Sequence, residues 1–160
     1  MRFALACVGR MKAGAEKELL DRYLDRAQKT GRTLGVSSVD IVELVESRAA
    51  RASDRKDEEA SALLAHVPQG ALLIALDEHG KSMASEPFSK KLRGWIDSGA
   101  SDIVLAIGGA DGHGKALLDR ADMTLSFGVM TWPHQIVRIL AAEQVYRAFT
   151  IMSGHPYHRS

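Results

Sequence analysis

The sequence is poor in cysteine, in proline and in long apolar runs. Its 160 residues include one cysteine, Cys7, and four prolines. A single cysteine cannot form an internal disulfide, so we expect Cys7 to be a small core residue in a protein of a reducing compartment. The first apolar run, Phe3 to Val8, is shorter than the hydrophobic region of a signal peptide. No run approaches the roughly 20 residues that cross a bilayer, which predicts a cytoplasmic protein without a membrane segment.

The sequence also lacks an excess of charge of either sign. It has 21 Lys and Arg against 20 Asp and Glu, a formal net charge of +1. This balance gives no general attraction to nucleic acid or membranes, so any RNA contact must come from a local patch. One modest basic cluster, Arg48, Arg51, Arg55 and Lys56, fits either a solvated helix face or a contact with RNA phosphates.

Strand-like and helix-like segments alternate along the chain. The strand-like runs are "RFALACVG", "LGVSSVDIVELVE", "ALLIAL" (71–76), "DIVLAIGG" and "DMTLSF". Between them lie amphipathic helical segments, of which the first is expected to stop at Gly31 and the second at Pro68 and Gly70. The alternation predicts an α/β fold with a largely parallel sheet in a single domain over residues 1–160.

The last predicted helix, "PHQIVRILAAEQVYRAFTIM", has no clean polar side. Its large apolar residues are spread around the axis. Such a helix is normally buried on most sides. It could be tucked under its own chain, or one side could face the sheet and the other a second copy. We favour a symmetric dimer.

Three predicted strands end in segments that suit a ligand. "LLIAL" leads into "DEHGKSMAS", "IVLAI" into "GGADGHGK" and "TLSF" into "GVMTWPH". In open α/β sheets, ligands collect at the carboxyl ends of the strands. The sequence therefore predicts a binding site built from these three segments.

The glycine-rich segment "GGADGHGKA" raises one alternative, a nucleotide-binding P-loop. Gly109, Gly114 and Lys115 have the P-loop spacing. However, Ala116 stands where a Ser or Thr hydroxyl should hold magnesium, and Asp111 would repel phosphates. Four glycines in seven residues instead indicate a close approach of the backbone to a ligand.

The last seven residues, "GHPYHRS", contain an H-x-x-H pair, His155 and His158. A zinc site needs three or four ligands, and no nearby cysteine or carboxylate completes a set, so no metal is expected. The segment could instead read a substrate or plug the structure. The isolated His66 and His79 are expected to be solvent-exposed bystanders.

These motifs together resemble the ribosomal RNA large-subunit methyltransferase H family of the SPOUT class. The similarity covers essentially the whole chain and is densest in "LIALDEHGK", "VLAIGGADG", "MTLSFGVMTWPHQIVRILAAEQVYRA" and "GHPYHRS". One departure is Ala110-Asp111, where family members often have Pro and Glu. The resemblance implies a homodimer and a deep C-terminal trefoil knot, over roughly residues 70–160, that binds S-adenosylmethionine. It also implies methyl transfer to N3 of a pseudouridine in the intersubunit stem-loop of 23S rRNA in the assembled ribosome.

The resemblance also implies roles for particular residues. Cofactor contacts fall on Leu76, Gly108, Gly109, Phe127, Gly128, Val129, Met130, Thr131 and Trp132. Because N3 of pseudouridine must lose a proton, the reaction favours a nearby base and a cation that stabilises the developing charge. Expected catalytic residues are Arg138, Glu143, His155, His158 and Arg159, and expected RNA contacts are His134, Arg147 and Tyr157. Glu143 and Arg147 also have the spacing of a simple helix ion pair. A non-enzymatic ribosome-binding factor is the remaining alternative.

Overall fold

Five strands alternate with five helices within residues 1–159, the part of the chain that the computed structural model describes. Their bounds are β1 Arg2–Val8, α1 Ala15–Arg32, β2 Ser38–Leu44, α2 Ala52–Leu64, β3 Leu72–Ser82, α3 Ser85–Asp97, β4 Asp102–Ile107, α4 Lys115–Arg120, β5 Met123–Ser126 and α5 His134–Ser153. The strands form one sheet in the order β2-β1-β4-β3-β5, and every neighbouring pair is parallel. The predicted α/β class with a parallel sheet is confirmed.

The sheet is covered by helices on both faces. Side chains of β1 alternate between them: Phe3, Leu5 and Cys7 pack with α1, α3 and α5, while Ala6 and Val8 pack with α2 and α4. Burial on both faces explains why β4 reads as a continuous apolar run. Cys7 is fully buried, and burial raises the pKa of its thiol to about 12, so it is the core residue that we expected.

Strand β3 is longer than the six-residue run that predicts it. After Leu76 the chain bulges away from the sheet over residues 77–80 and then pairs with β5 again at Lys81 and Ser82. Gly80 permits this return, because a Cβ there would lie 2.8 Å from the backbone of Leu125. The polar residues that seemed to end the strand therefore form a bulge within it.

The predicted helix stop at Gly31 is wrong, because α1 continues through Gly31 to Arg32. The left-handed turn falls on Gly35, with φ +83°, and the amide of Val36 then donates to the carbonyl of Gly31. Gly31 instead serves packing: a Cβ at this position would lie 3.0 Å from Val36 Cβ and 3.2 Å from the Phe149 ring. Similarly, α2 ends at Leu64, before the predicted stops at Pro68 and Gly70.

Helix α5 is buried by its own chain. It packs against α1 and α3, Phe149 meets Phe3 edge to face at 6.2 Å, and none of the residues from 136 to 152 is fully exposed. Pro133 is its N-cap and not a residue of its first turn. This packing accounts for the helix's apolar character without a second copy, so the dimer stays a prediction. Among residues 1–159, no helix is long and apolar enough to cross a membrane.

Two helical glycines provide a matched test of this packing. Gly94 in α3 has open space where the Cβ of a larger residue would lie, so Gly94→Ala should stabilise the fold by about 0.5–1 kcal/mol through helix propensity. Gly31→Ala gains the same propensity but overpacks a rigid core, and should be destabilising by about 1 kcal/mol or more. Urea unfolding of both variants measures the difference; equal stabilisation by both would contradict the packing role of Gly31.

Candidate functional site

The carboxyl ends of β3, β4 and β5 lie side by side, since β3 pairs with β4 along one edge and with β5 along the other. The segments that follow these strands, together with the first turn of α5, enclose a cleft of about 480 Å³. Eight of the predicted cofactor residues line it: Leu76, Gly108, Gly109, Phe127, Gly128, Met130, Thr131 and Trp132. The structure therefore brings together residues that are up to 56 positions apart in the sequence (132 − 76).

Val129 is the predicted cofactor residue that does not line the cleft. Its side chain is 94 % exposed and points away from the site, although its neighbours Gly128 and Met130 contribute to the wall. Gly128 has a φ of +112°, and the loop changes direction there. The loop as a whole belongs to the cleft, but the Val129 side chain does not.

The glycine loop after β4 is held by an ion pair. Arg55 of α2 donates to both carboxylate oxygens of Asp111, at 2.7 and 3.1 Å, and this pairing lowers the pKa of the Asp111 carboxyl. Within the loop, the Gly112 amide donates to the Gly109 carbonyl at 3.0 Å. Arg51 of the same basic cluster pairs with Asp54. Two of the four basic residues thus neutralise acids of this chain, and Lys56 lines the cleft.

The geometry does not support the P-loop alternative. Lys115 is exposed and pairs with Asp119 on the surface of α4, and it does not line the cleft. The helix that follows the glycines has only six residues. A P-loop lysine would have to reach the phosphates in the cleft, which this lysine does not do.

His113 is a cleft residue that sequence reasoning missed. Its side chain is 5 % exposed, and its Nε2 lies 3.2 Å from the Ala106 carbonyl of β4. Because a carbonyl oxygen only accepts, Nε2 carries the proton and Nδ1 is a bare acceptor, which has no partner within residues 1–159. Burial lowers the pKa of the imidazole. The sequence signal was slight: one histidine among four glycines.

Glu59 is a second buried polar residue beside the same loop. One carboxylate oxygen accepts from the Ser47 amide at 3.0 Å, while the other lies 2.6 Å from the position that a Cβ on Gly109 would occupy. Any larger residue at position 109 would therefore collide with Glu59. Gly109 thus leaves room for the Glu59 carboxylate, in addition to any approach to a ligand.

Arg138, predicted to be catalytic, has a structural position. Its guanidinium is 3 % exposed, pairs with Glu43 at 2.8 Å and donates to the carbonyls of Val8 and Gly9 at 2.7 and 2.8 Å. These contacts cap the carboxyl end of β1 and tie α5 to it. Arg138 does not line the cleft. These contacts fix α5 on the sheet, and the catalytic role of Arg138 stays a prediction.

Glu143, Arg147 and Tyr157 form one network on α5. Arg147 donates to Glu143 Oε1 at 2.5 Å, and the Tyr157 hydroxyl donates to the same oxygen at 2.9 Å. Arg147 also stacks over the Tyr157 ring, 4.8 Å from its centre, and Tyr157 packs on Tyr146. Burial and the bond to Glu143 raise the pKa of the Tyr157 phenol. The helix ion pair foreseen as an alternative is present.

The tail, residues 154–159, turns back along α5 and lies away from the cleft. Gly154 adopts the left-handed conformation that ends the helix, with φ +70°. His158 accepts from Arg147 at 3.3 Å and lies 3.4 Å from Glu86, whereas His155 and Arg159 are exposed. No residue of the tail lines the cleft of its own chain. Within residues 1–159 no group of three or more His, Cys, Asp or Glu could hold a metal ion.

His134 is the one predicted RNA-contact residue that the structure places in the cleft. It is the first residue of α5 and is half-buried. Arg147 and Tyr157, the other two, belong to the network on α5. His66 is exposed, as expected; His79 is also exposed but lines the cleft from the β3 bulge, so it is not a remote bystander.

Comparison with known proteins assigns the class to which this fold and cleft belong. A family model described as "Predicted SPOUT methyltransferase" matches residues 1–158. Proteins called ribosomal RNA large subunit methyltransferase H are similar over nearly their whole length: that of Sinorhizobium medicae is 56 % identical over 160 residues, covering 100 % of both chains. That of Rhizobium etli is 55 % identical over 159 residues, covering 99 % of both. The chain belongs to the SPOUT methyltransferases and, within them, to the ribosomal RNA large subunit methyltransferase H family.

Solved structures show a more distant similarity. The SpoU methyltransferase AviRb from Streptomyces viridochromogenes, in complex with AdoMet, has a TM-score of 0.41 at 12 % identity, over 96 % of this chain. This chain spans 61 % of the length of AviRb. A probable methylase family protein from Haemophilus influenzae has a TM-score of 0.45 at 10 % identity, over 99 % of this chain and 70 % of its own. These similarities are too slight to bear on the site.

His113 predicts a measurable pH dependence of stability. Its pKa is lowered in the folded chain, so the unfolded chain binds the proton more readily below the usual value of 6.5. The free energy of unfolding should therefore fall below pH 6.5, by up to about 1.4 kcal/mol per pH unit from this group. In urea unfolding between pH 5 and 8, the free energy of unfolding should change less with pH for His113→Gln than for wild type. The exposed His66→Gln is the control, and the same slope in all three proteins would contradict the neutral buried state.

Proposed function

We propose that this chain transfers the methyl group of S-adenosylmethionine to N3 of a pseudouridine in 23S rRNA, within the intersubunit stem-loop of the assembled ribosome in the cytoplasm. The relatives' names specify methylation of large-subunit ribosomal RNA. The atom, the nucleotide and the stem-loop rest on the family resemblance of the motifs. The observation that carries the proposal is the convergence of eight predicted cofactor residues on one cleft.

The cleft fits S-adenosylmethionine in size and chemistry. A volume of about 480 Å³ is in the range of small-molecule sites. Leu76, Ile107 and Trp132 supply apolar walls for an adenine ring, and glycines 108 and 109 let the backbone approach closely. Asp77 and Glu78 on the β3 bulge provide negative charge suited to a cationic sulfonium and amino group.

The cofactor supplies an electrophilic methyl group on a sulfonium, and this transfer needs no metal. The chain's own residues must align the base, exclude water and accept the N3 proton. We propose His134 as the proton acceptor, because it is the first residue of α5, lines the cleft and is half-buried. Glu143 is held by Arg147 and by Tyr157 of the same subunit's tail, and none of these three residues lines the cleft.

We further propose a homodimer in which the tail of one subunit completes the cleft of the other. The tail carries His155, His158 and Arg159, yet none of its residues lines the cleft of its own chain, which supports a role in the partner. Acting in trans, these residues would add a further proton acceptor and an arginine to a cleft that already contains His134 and Lys56. The deep trefoil knot over roughly residues 70–160 stays part of the proposal. It rests on membership of the SPOUT class, to which the resemblance of the motifs attributes the knot.

Mass spectrometry of 23S rRNA tests the function directly. In a strain that lacks this gene, the methylated pseudouridine should be absent, and the wild-type chain should restore it. The chain truncated after Met152 should restore it at least about 100-fold less well, because the tail supplies acid–base groups. The same truncated protein should bind S-adenosylhomocysteine with an affinity within about two-fold of wild type, since the predicted cofactor residues of the cleft all precede the tail.

The double variant His155→Ala/Arg159→Ala is the control for folding, because both side chains are exposed and the packing of Tyr157 is kept. It should lose activity while its unfolding midpoint stays unchanged. Normal methylation by the truncated chain would reject the tail hypothesis alone. Ribosome binding without any transfer of a labelled methyl group would reject the enzymatic function.

A further inference from the structure

A second cavity adjoins the cofactor cleft. It has a volume of about 500 Å³ and lies between the end of β3, the start of α3, β5 and the middle of α5. Phe127, Gly128 and Trp132 line both spaces. The two spaces therefore adjoin at these three residues.

The lining of this second cavity is neutral. Phe88, Leu125 and Leu140 provide apolar surface, and Ser126 and Gln144 provide hydroxyl and amide groups. None of the described residues that line it is charged, whereas Asp77, Glu78 and other charged side chains line the cleft. An uncharged lining does not suit a phosphate, but it suits a flat neutral ring with polar edges.

Trp132 borders both spaces. It is 41 % exposed, which is unusual for the largest apolar side chain, and Pro133 follows it as the N-cap of α5. An exposed tryptophan that borders a cavity is a stacking surface for a nucleobase. The proline ring restricts the backbone directly after Trp132.

We propose that the second cavity receives the target nucleobase of the RNA, turned out of its stem-loop and stacked on Trp132, with its N3 edge at the border where the cavity meets the cofactor cleft. An enzyme that modifies a base must take it out of the helical stack, so a base-sized pocket beside the methyl donor is required. This inference rests on the proposed function, and it names where the acceptor binds. The competing occupant is a second copy of the chain, for which the cavity would be a subunit contact.

Two positions one turn apart on α5 allow the two spaces to be tested independently. Val137 lines only the cofactor cleft, and Leu140 lines only the second cavity. Leu140→Phe should raise KM for ribosomes about ten-fold or more, while the Kd for S-adenosylhomocysteine in calorimetry stays within about two-fold. Val137→Phe should do the reverse and weaken S-adenosylhomocysteine about ten-fold or more. Ala84→Phe, at an exposed position on the cavity's edge, repeats the first test if Leu140→Phe does not fold.

Fluorescence gives a readout that does not depend on catalysis. The chain has two tryptophans, so Trp95→Phe leaves Trp132 as the single reporter. A pseudouridine-containing RNA stem-loop, with S-adenosylhomocysteine bound, should quench this fluorescence, and Leu140→Phe should abolish the quenching. The variant with Trp95→Phe alone should methylate ribosomes like wild type, because Trp95 lies on α3 and lines neither space.

The outcomes separate the inference from the function on which it rests. If wild type methylates ribosomes and Leu140→Phe does so with unchanged KM, the base pocket is wrong and the function stands. If Leu140→Phe changes the oligomeric state in analytical ultracentrifugation along with its loss of activity, the cavity is a subunit contact and the inference is overturned. If wild type neither binds S-adenosylhomocysteine nor transfers a methyl group, the proposed function itself fails.

Discussion

The pairing of β3 with both β4 and β5 is the constraint on which the rest of the structure depends. It brings the ends of three strands to one edge of the sheet, although the segments that follow them are far apart in the sequence. Parallel strands leave their carboxyl ends, with their free backbone groups and loops, on the same side. The cleft follows from this topology, and the individual side chains only refine it.

Helix α5 links that edge to the rest of the molecule. It starts in the cleft at His134, crosses to β1 through the buried Arg138, and ends in the tail that folds back on Tyr146. Removing one partner of a buried ion pair strongly destabilises a fold, because the other charge is left buried without a partner. The pair of Arg138 and Glu43 therefore fixes the position of α5 on the sheet. The start of α5 is therefore fixed relative to the glycine loop, as a site built from separate segments requires.

The regular elements could be predicted from the sequence because each has a local signal. The apolar run of β4 and the helical spacing of α1 appear where the patterns indicate. The errors arise where tertiary contacts override local preference. Gly31 reads as a helix stop but is a contact between α1 and α5, and the polar residues after Leu76 read as a loop but form a bulge in a longer strand. In both cases the deciding neighbour is distant in the sequence.

The predictions about the site divide in the same way, between what local sequence shows and what tertiary contacts decide. The cofactor segments could be found because strand ends and glycines are visible in the sequence and the family motifs coincide with them. The roles of single side chains could not, since charge and residue type do not show burial. Arg138 has the chemistry of a catalytic cation but is enclosed by carbonyls of β1, and His113 faces the cleft from a segment that reads as glycine-rich.

Hydrogen exchange with and without S-adenosylhomocysteine tests the central claim most directly, because it reads every segment at once. If the three strand ends bind the cofactor together, backbone amides in residues 76–80, 108–113 and 127–132 should all become protected on binding. Backbone amides at the opposite end of the strands, such as those in the loop between α1 and β2, should show no change in exchange rate. Protection confined to one segment, or centred on another part of the chain, would contradict the composite cleft.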